Sequence, residues 1–193
     1  GLIICAAPVG CGALTNLWTG MTGAYHVSTR MVEITTVVVS ATSALGSVVG
    51  GYVADRINRR LAYCISGGIT GLAAFVWALC PLTPMSYAIG TAAYGFANGM
   101  AFAAFYGMVL EIVSHGAAVT TKYTAFVAIS NLAISYATIF DGWSGTIPTF
   151  AHFGKAAPLV GDAVITFAGI FVVALMTLIA RRFKTTAPAP VAS

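Results

Sequence analysis

The chain has 193 residues, of which 59% are hydrophobic and only 7% charged, with a mean hydropathy of +0.91. Soluble domains carry about 25% charged residues, so this composition excludes a soluble domain and reads as an integral membrane protein. The net charge of +4 and the pI near 9.0 would suggest nucleic acid in a soluble chain, but here the placement of the basic residues accounts for them, and no nucleic-acid partner is expected.

Six apolar segments follow in chain order, each near the roughly 20 residues needed to cross the hydrocarbon of a bilayer. The first runs from about Leu2 to Tyr25 and is interrupted by Pro8, Gly10 and Gly12. The second spans about Met31 to Ala54, and the third about Leu61 to Leu79, stopped by Pro81 and Pro84. The fourth, about Ser86 to Val113, is long enough to tilt; the fifth is about Tyr123 to Phe140 and the sixth about Leu159 to Ala180. The reading is an all-α membrane protein of six transmembrane helices over residues 1–184, followed by a polar tail, 185–193, whose Thr185-Thr186 and Ala187-Pro188-Ala189-Pro190 are expected to be disordered. No basic residues precede the first segment and there is no initiator Met, so that segment is not expected to be a signal peptide, and further chain is expected upstream.

Lysine and arginine set the orientation. Arg56, Arg59 and Arg60 follow the second segment, Lys122 the fourth, and Arg181, Arg182 and Lys184 the sixth, while Arg30 and Lys155 fall on the other side. Positive-inside logic places both termini in the cytoplasm. The four cysteines, Cys5, Cys11, Cys64 and Cys80, lie in or at the ends of apolar runs without a C-x-x-C pair, and no H-E-x-x-H occurs. They read as small core residues, and neither a metal nor a cofactor is expected.

The stretch Gly51-Tyr52-Val53-Ala54-Asp55-Arg56-Ile57-Asn58-Arg59-Arg60 places one acid and three arginines in a short loop between two apolar segments. Its Gly51, Asp55, Arg56, Arg59 and Arg60 match the signature loop between the second and third helices of each six-helix half of the major facilitator superfamily of secondary transporters, which the chain resembles. Asn58 stands where that family usually has glycine, and asparagine is the next most tolerant residue for a left-handed backbone. The run Tyr94 to Phe105, the run Thr121 to Ser130 and the pair Gly142-Trp143 are loosely similar to the C-terminal half of the branch that includes muropeptide permeases and acetyl-CoA transporters. The resemblance implies one C-terminal half of a twelve-helix carrier, working in the bacterial inner (plasma) membrane. Its partner is then a missing N-terminal half or a second copy of the chain. In that family the loop aspartate helps hold the inner gate shut against the opposite half, so Asp55, with Gly51, Arg56, Arg59 and Arg60, is the candidate gating loop.

Polar residues at mid-span are the candidate substrate contacts, because an amide inside a bilayer must face a partner or a cavity. Asn16, Asn98 and Asn131 lie near the centres of the first, fourth and fifth segments. On the fourth, Thr91, Tyr94, Asn98 and Phe102 share one helical face, and Trp18 lies beside Asn16. The residues singled out as lining a solute cavity are Asn16, Trp18, Thr91, Tyr94, Asn98 and Asn131, and a satisfied helix-packing amide is the plainer alternative for each asparagine. The pairs Gly46/Gly50, Gly67/Gly71 and Gly95/Gly99 predict close helix contacts. Among the five acids, Glu33 and Asp141 are the candidates for ion or proton coupling, while Asp162 reads as a charge at a helix start, where the dipole favours it.

The expected function is therefore secondary active transport of a small polar or amphipathic solute by alternating access, coupled to an ion or a proton. Two other readings stand beside it. A non-transporting membrane scaffold lacks a reason to line its interior with amides. Gly142-Trp143-Ser144-Gly145 reproduces the G-x-S-G of rhomboid intramembrane proteases, yet the sixth segment carries no histidine to act as base, and no enzymatic activity is expected.

Overall fold

The structure is a computed structural model that describes residues 2–114 and 118–185, with side chains described as far as residue 179. The expected disordered tail lies, apart from Thr185, outside the described residues, as does His115. Among the described residues the regular structure is entirely helical. In chain order the helices are α1 (Leu2–Ala6), α2 (Trp18–Met21), α3 (Thr29–Arg56), α4 (Arg59–Ala78), α5 (Pro84–Val113), α6 (Val119–Trp143), α7 (Pro148–Ala151) and α8 (Ala157–Thr185). Short 3-10 turns at Ala13–Asn16, Ser144–Thr146 and Gly154–Ala156 join them.

Five helices, α3, α4, α5, α6 and α8, are long and apolar enough to cross a membrane. Each starts two to four residues ahead of its apolar run, and polar residues cap α3, α4 and α5. Ser28 accepts the Met31 amide at the start of α3, and Thr83 and Ser86 form a reciprocal capping box at the start of α5. Pro84, expected to stop the preceding helix, instead occupies the first turn of α5, where a missing N–H costs nothing. Asn58 is also not a left-handed turn residue. It has φ −59° and caps α4, its side-chain oxygen accepting from the amides of Arg60 and Leu61 at 3.0 and 3.4 Å.

The largest departure from expectation is the first segment. A continuous helix from Leu2 to Tyr25 does not form: α1 ends at Ala6, and helical backbone resumes only at Ala13. Gly10 and Gly12 adopt φ +55° and +73°, values that side chains strongly disfavour, and Pro8 removes one amide from the ladder.

α3 packs closely along α5, α5 also against α4, and α4 against α8, while α6 leans on α8 and α1. The α3–α5 contact is made by small residues. A methyl on Gly46 would overlap the Phe96 carbonyl and one on Gly99 the Ser43 carbonyl, and Ser47 donates across the interface to the Gly99 carbonyl at 3.2 Å. Two apolar clusters fill the bundle. One, around Tyr63, Phe105, Met108 and Val113, lies toward the end where α3 passes into α4; the charged stretch expected there as a loop is helical apart from Ile57 and Asn58, with Asp55 and Arg56 closing α3 and Arg59 and Arg60 opening α4. The other, around Tyr25, Trp77, Tyr87 and Leu14, lies toward the opposite end.

Candidate functional site

The non-helical backbone between Ala6 and Ala13 is held at the middle of the bundle. Asn98 stands midway along α5 and donates its Nδ2 to the Gly10 carbonyl at 2.9 Å. Gly67, near the midpoint of α4, leaves room for Val9, and Gly169, near the midpoint of α8, leaves room for Pro8. The amide of Asn98 lies so close to Gly12 that a Cβ there would sit 2.7 Å from Nδ2. Irregular backbone at membrane depth survives only where protein covers it or where it lines a cavity, and three spans supply that cover here. A void of ≈ 20 Å³, bordered by Gly10, Cys11, Tyr63, Phe102 and Ser130, adjoins the break, about the room one water needs.

One helical turn outward of Asn98, Tyr94 is fully buried and donates its hydroxyl to Asp162 Oδ2 at 3.0 Å. Asp162 is 1% exposed and Asp141 is 0% exposed; the two side chains are neighbours, and Asp141 Oδ1 lies 3.3 Å from where a Cβ on Gly161, the residue before Asp162, would stand. The Leu14 amide, just past the break, lies beside Asp162. Both oxygens of Asp141 and Oδ1 of Asp162 have no hydrogen-bond donor. Thr166, one turn further along the same face of α8, is likewise buried with an unpartnered hydroxyl.

The residues singled out from sequence divide between this interior and the surface. Tyr94 and Asn98 meet the break and the acids, and Trp18 stacks edge-on against Tyr94 with ring centroids 6.0 Å apart. Thr91 is buried but bonds its own helix, to the Tyr87 carbonyl at 2.8 Å. Asn16 is exposed and donates to Thr138 Oγ1 at 3.1 Å, tying the 3-10 turn to α6. Asn131, midway along α6, is exposed and its side chain has no hydrogen-bond partner among the described residues. Of the two coupling candidates, Asp141 lies in the buried pair and Glu33 is exposed on α3. Asp162, read from sequence as a charge at a helix start, is instead enclosed, since α8 begins at Ala157 and carries it more than a turn inside.

At the opposite end, Arg59 donates to the Gly107 carbonyl at 2.7 Å and pairs with Asp55 and Glu111, each at 3.6 Å. Arg56 lies over the Tyr52 ring, 4.8 Å from its centroid. Asp55 has no contact beyond Arg59 among the hydrogen bonds and ion pairs of the described residues, and a methyl on Gly51 would meet nothing within 4 Å. Ser144 is buried and donates to the Asp141 carbonyl at 2.6 Å, a bond of the helix end. It makes no hydrogen bond to a histidine among the described residues, and His152 is exposed.

No family model matches the chain, and no curated protein or solved structure is significantly similar to it.

Proposed function

We propose that the chain is a six-segment half of a secondary active transporter, moving a small polar or amphipathic solute by alternating access. The observation that carries this reading is the broken first segment, whose unwound backbone lies at the mid-depth of α4, α5 and α8. Interrupted helices at the bilayer midplane are how many carriers present backbone groups to solutes and ions. In this reading the first segment is the sixth crossing, and the ends bearing the Asp55 stretch face the cytoplasm with both termini.

A second unit completes the path. Thr15, Asn16, Asn131 and Ser135 form an exposed polar face where the 3-10 turn meets α6, and a bare amide at the bilayer centre is costly unless protein or water meets it. α3 and α6 are also the least buried of the five long helices. An N-terminal half or a second copy of this chain covers them, and the solute binds between the two units. The likeness of the Asp55 stretch to the major facilitator signature supports the same arrangement, with Asp55 and Gly51 reserved for a contact across that interface.

Solid-supported membrane electrophysiology on the protein reconstituted from its own membrane tests this proposal. Sugars, amino acids, short peptides and nucleosides are applied in turn. A transient current evoked by one class, and saturable in its concentration, is expected. A folded preparation that answers none of them contradicts transport.

A further inference from the structure

The chain has five acidic residues; Glu33, Asp55 and Glu111 are exposed, and Asp141 and Asp162 are enclosed. What surrounds the enclosed pair differs between its members. Asp162 receives the Tyr94 hydroxyl from α5 and has the Leu14 amide of the broken segment beside it. Asp141 receives no donor at all, and its Oδ1 packs against Gly161, beside Asp162. The other titratable group facing both is the thiol of Cys11, from the break. Ser144, in the turn after α6, has its hydroxyl engaged by the Asp141 carbonyl, and Thr70 of α4 bonds the Ser66 carbonyl. No lysine, arginine or histidine among the described residues forms an ion pair with either acid. The segment above them carries His152 and Lys155, both exposed.

Two adjacent carboxylates without a cation repel strongly in an apolar interior. One proton on Asp141 removes that repulsion and lets Asp141 donate toward the unpartnered Oδ1 of Asp162. The Tyr94 hydroxyl on Asp162 suits its carrying the charge, and the absence of any donor around Asp141 suits its holding the proton. A metal ion fits the same place poorly, because the hydroxyl of Tyr94 and the amide of Leu14 present hydrogens where a cation needs oxygens. Among the described residues no group of three or more His, Cys, Asp or Glu is placed to hold a metal.

We propose that Asp141 and Asp162 are the proton-binding pair of the carrier, holding one proton in the closed state and exchanging it toward the end covered by residues 144–156. Release breaks the Asp141 O–H bond and transfers the proton to an entering water, giving hydronium and two carboxylates; uptake reverses the step. Because the doubly charged pair is stable only when hydrated, that end closes only after the pair has taken up a proton, which ties closure to protonation. The role in coupling rests on the transporter reading, whereas the proton site itself does not.

Infrared difference spectroscopy of the full chain in lipid, in H2O and D2O, tests the site without a solute. From about pH 5 to pH 8 exposed carboxyls are largely ionised, so a protonated-carboxyl carbonyl band that persists there and shifts in D2O belongs to the enclosed pair. The band is expected in the wild type and fully lost in D141N. In Y94F, which keeps the ring and loses only the hydroxyl, it is expected to remain and move in frequency, which also decides the matter if D141N does not fold. No such band in the wild type, or a band unchanged in both D141N and Y94F, overturns the proposal. A band with no solute-evoked current leaves the proton site standing and removes the transporter reading; a current without the band does the reverse.

Discussion

Asn98 shows how one side chain can hold an irregular backbone inside a membrane protein. Its bond to the Gly10 carbonyl satisfies an acceptor that the missing helix ladder leaves free, and its amide occupies the space in which Gly12 has no side chain. An interhelical hydrogen bond in a bilayer contributes about 0.6 kcal/mol on average, but a buried acceptor left without a partner costs about 1–3 kcal/mol. Asn98→Leu is therefore expected to lower stability by about 2 kcal/mol, read by thermal unfolding in detergent. An unchanged midpoint would show that the break does not depend on this amide. The position of Asn98 was legible from the sequence as a mid-span polar residue, and so was its choice between solute and packing contact; its actual acceptor was not, because it lies 88 residues away. Asp162 was misjudged for a related reason. A helix start inferred from the apolar run beginning at Leu159 leaves it near the end, whereas the real start at Ala157 and the burial of its neighbours enclose it.

Among the elements, α3 and α5 make the closest approach. Gly46 and Gly99 face carbonyl groups of the opposite helix, and backbone cannot rotate away as a side chain can. Gly46→Ala and Gly99→Ala each force the helices apart and are expected to cost about 1–3 kcal/mol, while Gly51→Ala, whose methyl meets nothing within 4 Å, removes a glycine from the interior of α3 and raises the melting midpoint slightly. Equal effects at Gly46, Gly99 and Gly51 would contradict the interface described. The small-residue spacing announced this contact because it depends only on residues four apart on one face. The five long helices were equally legible from hydropathy. The break was half legible: Pro8, Gly10 and Gly12 marked an interruption, but its extent depends on Gly67, Gly169 and Asn98 accepting a non-helical chain between them, and those are tertiary facts.

For the whole molecule, the transporter proposal implies a polar path along the exposed face of α6 and the 3-10 turn, closed by a second unit. Asn131 and Leu132 are adjacent near the middle of α6 and both exposed, Leu132 by 63%, yet in a transporter half the first would face water and the second lipid. The most direct measurement introduces N131C or L132C singly after Cys5, Cys11, Cys64 and Cys80 have been replaced by alanine, and labels sealed membranes with a thiol reagent confined to water. N131C is expected to react, and to be shielded when the path is occupied by a transported solute, while L132C reacts only with a lipid-soluble reagent. If both positions ignore the aqueous reagent and take up the lipid-soluble one alike, the polar face lies in the bilayer and the chain does not line a transport path.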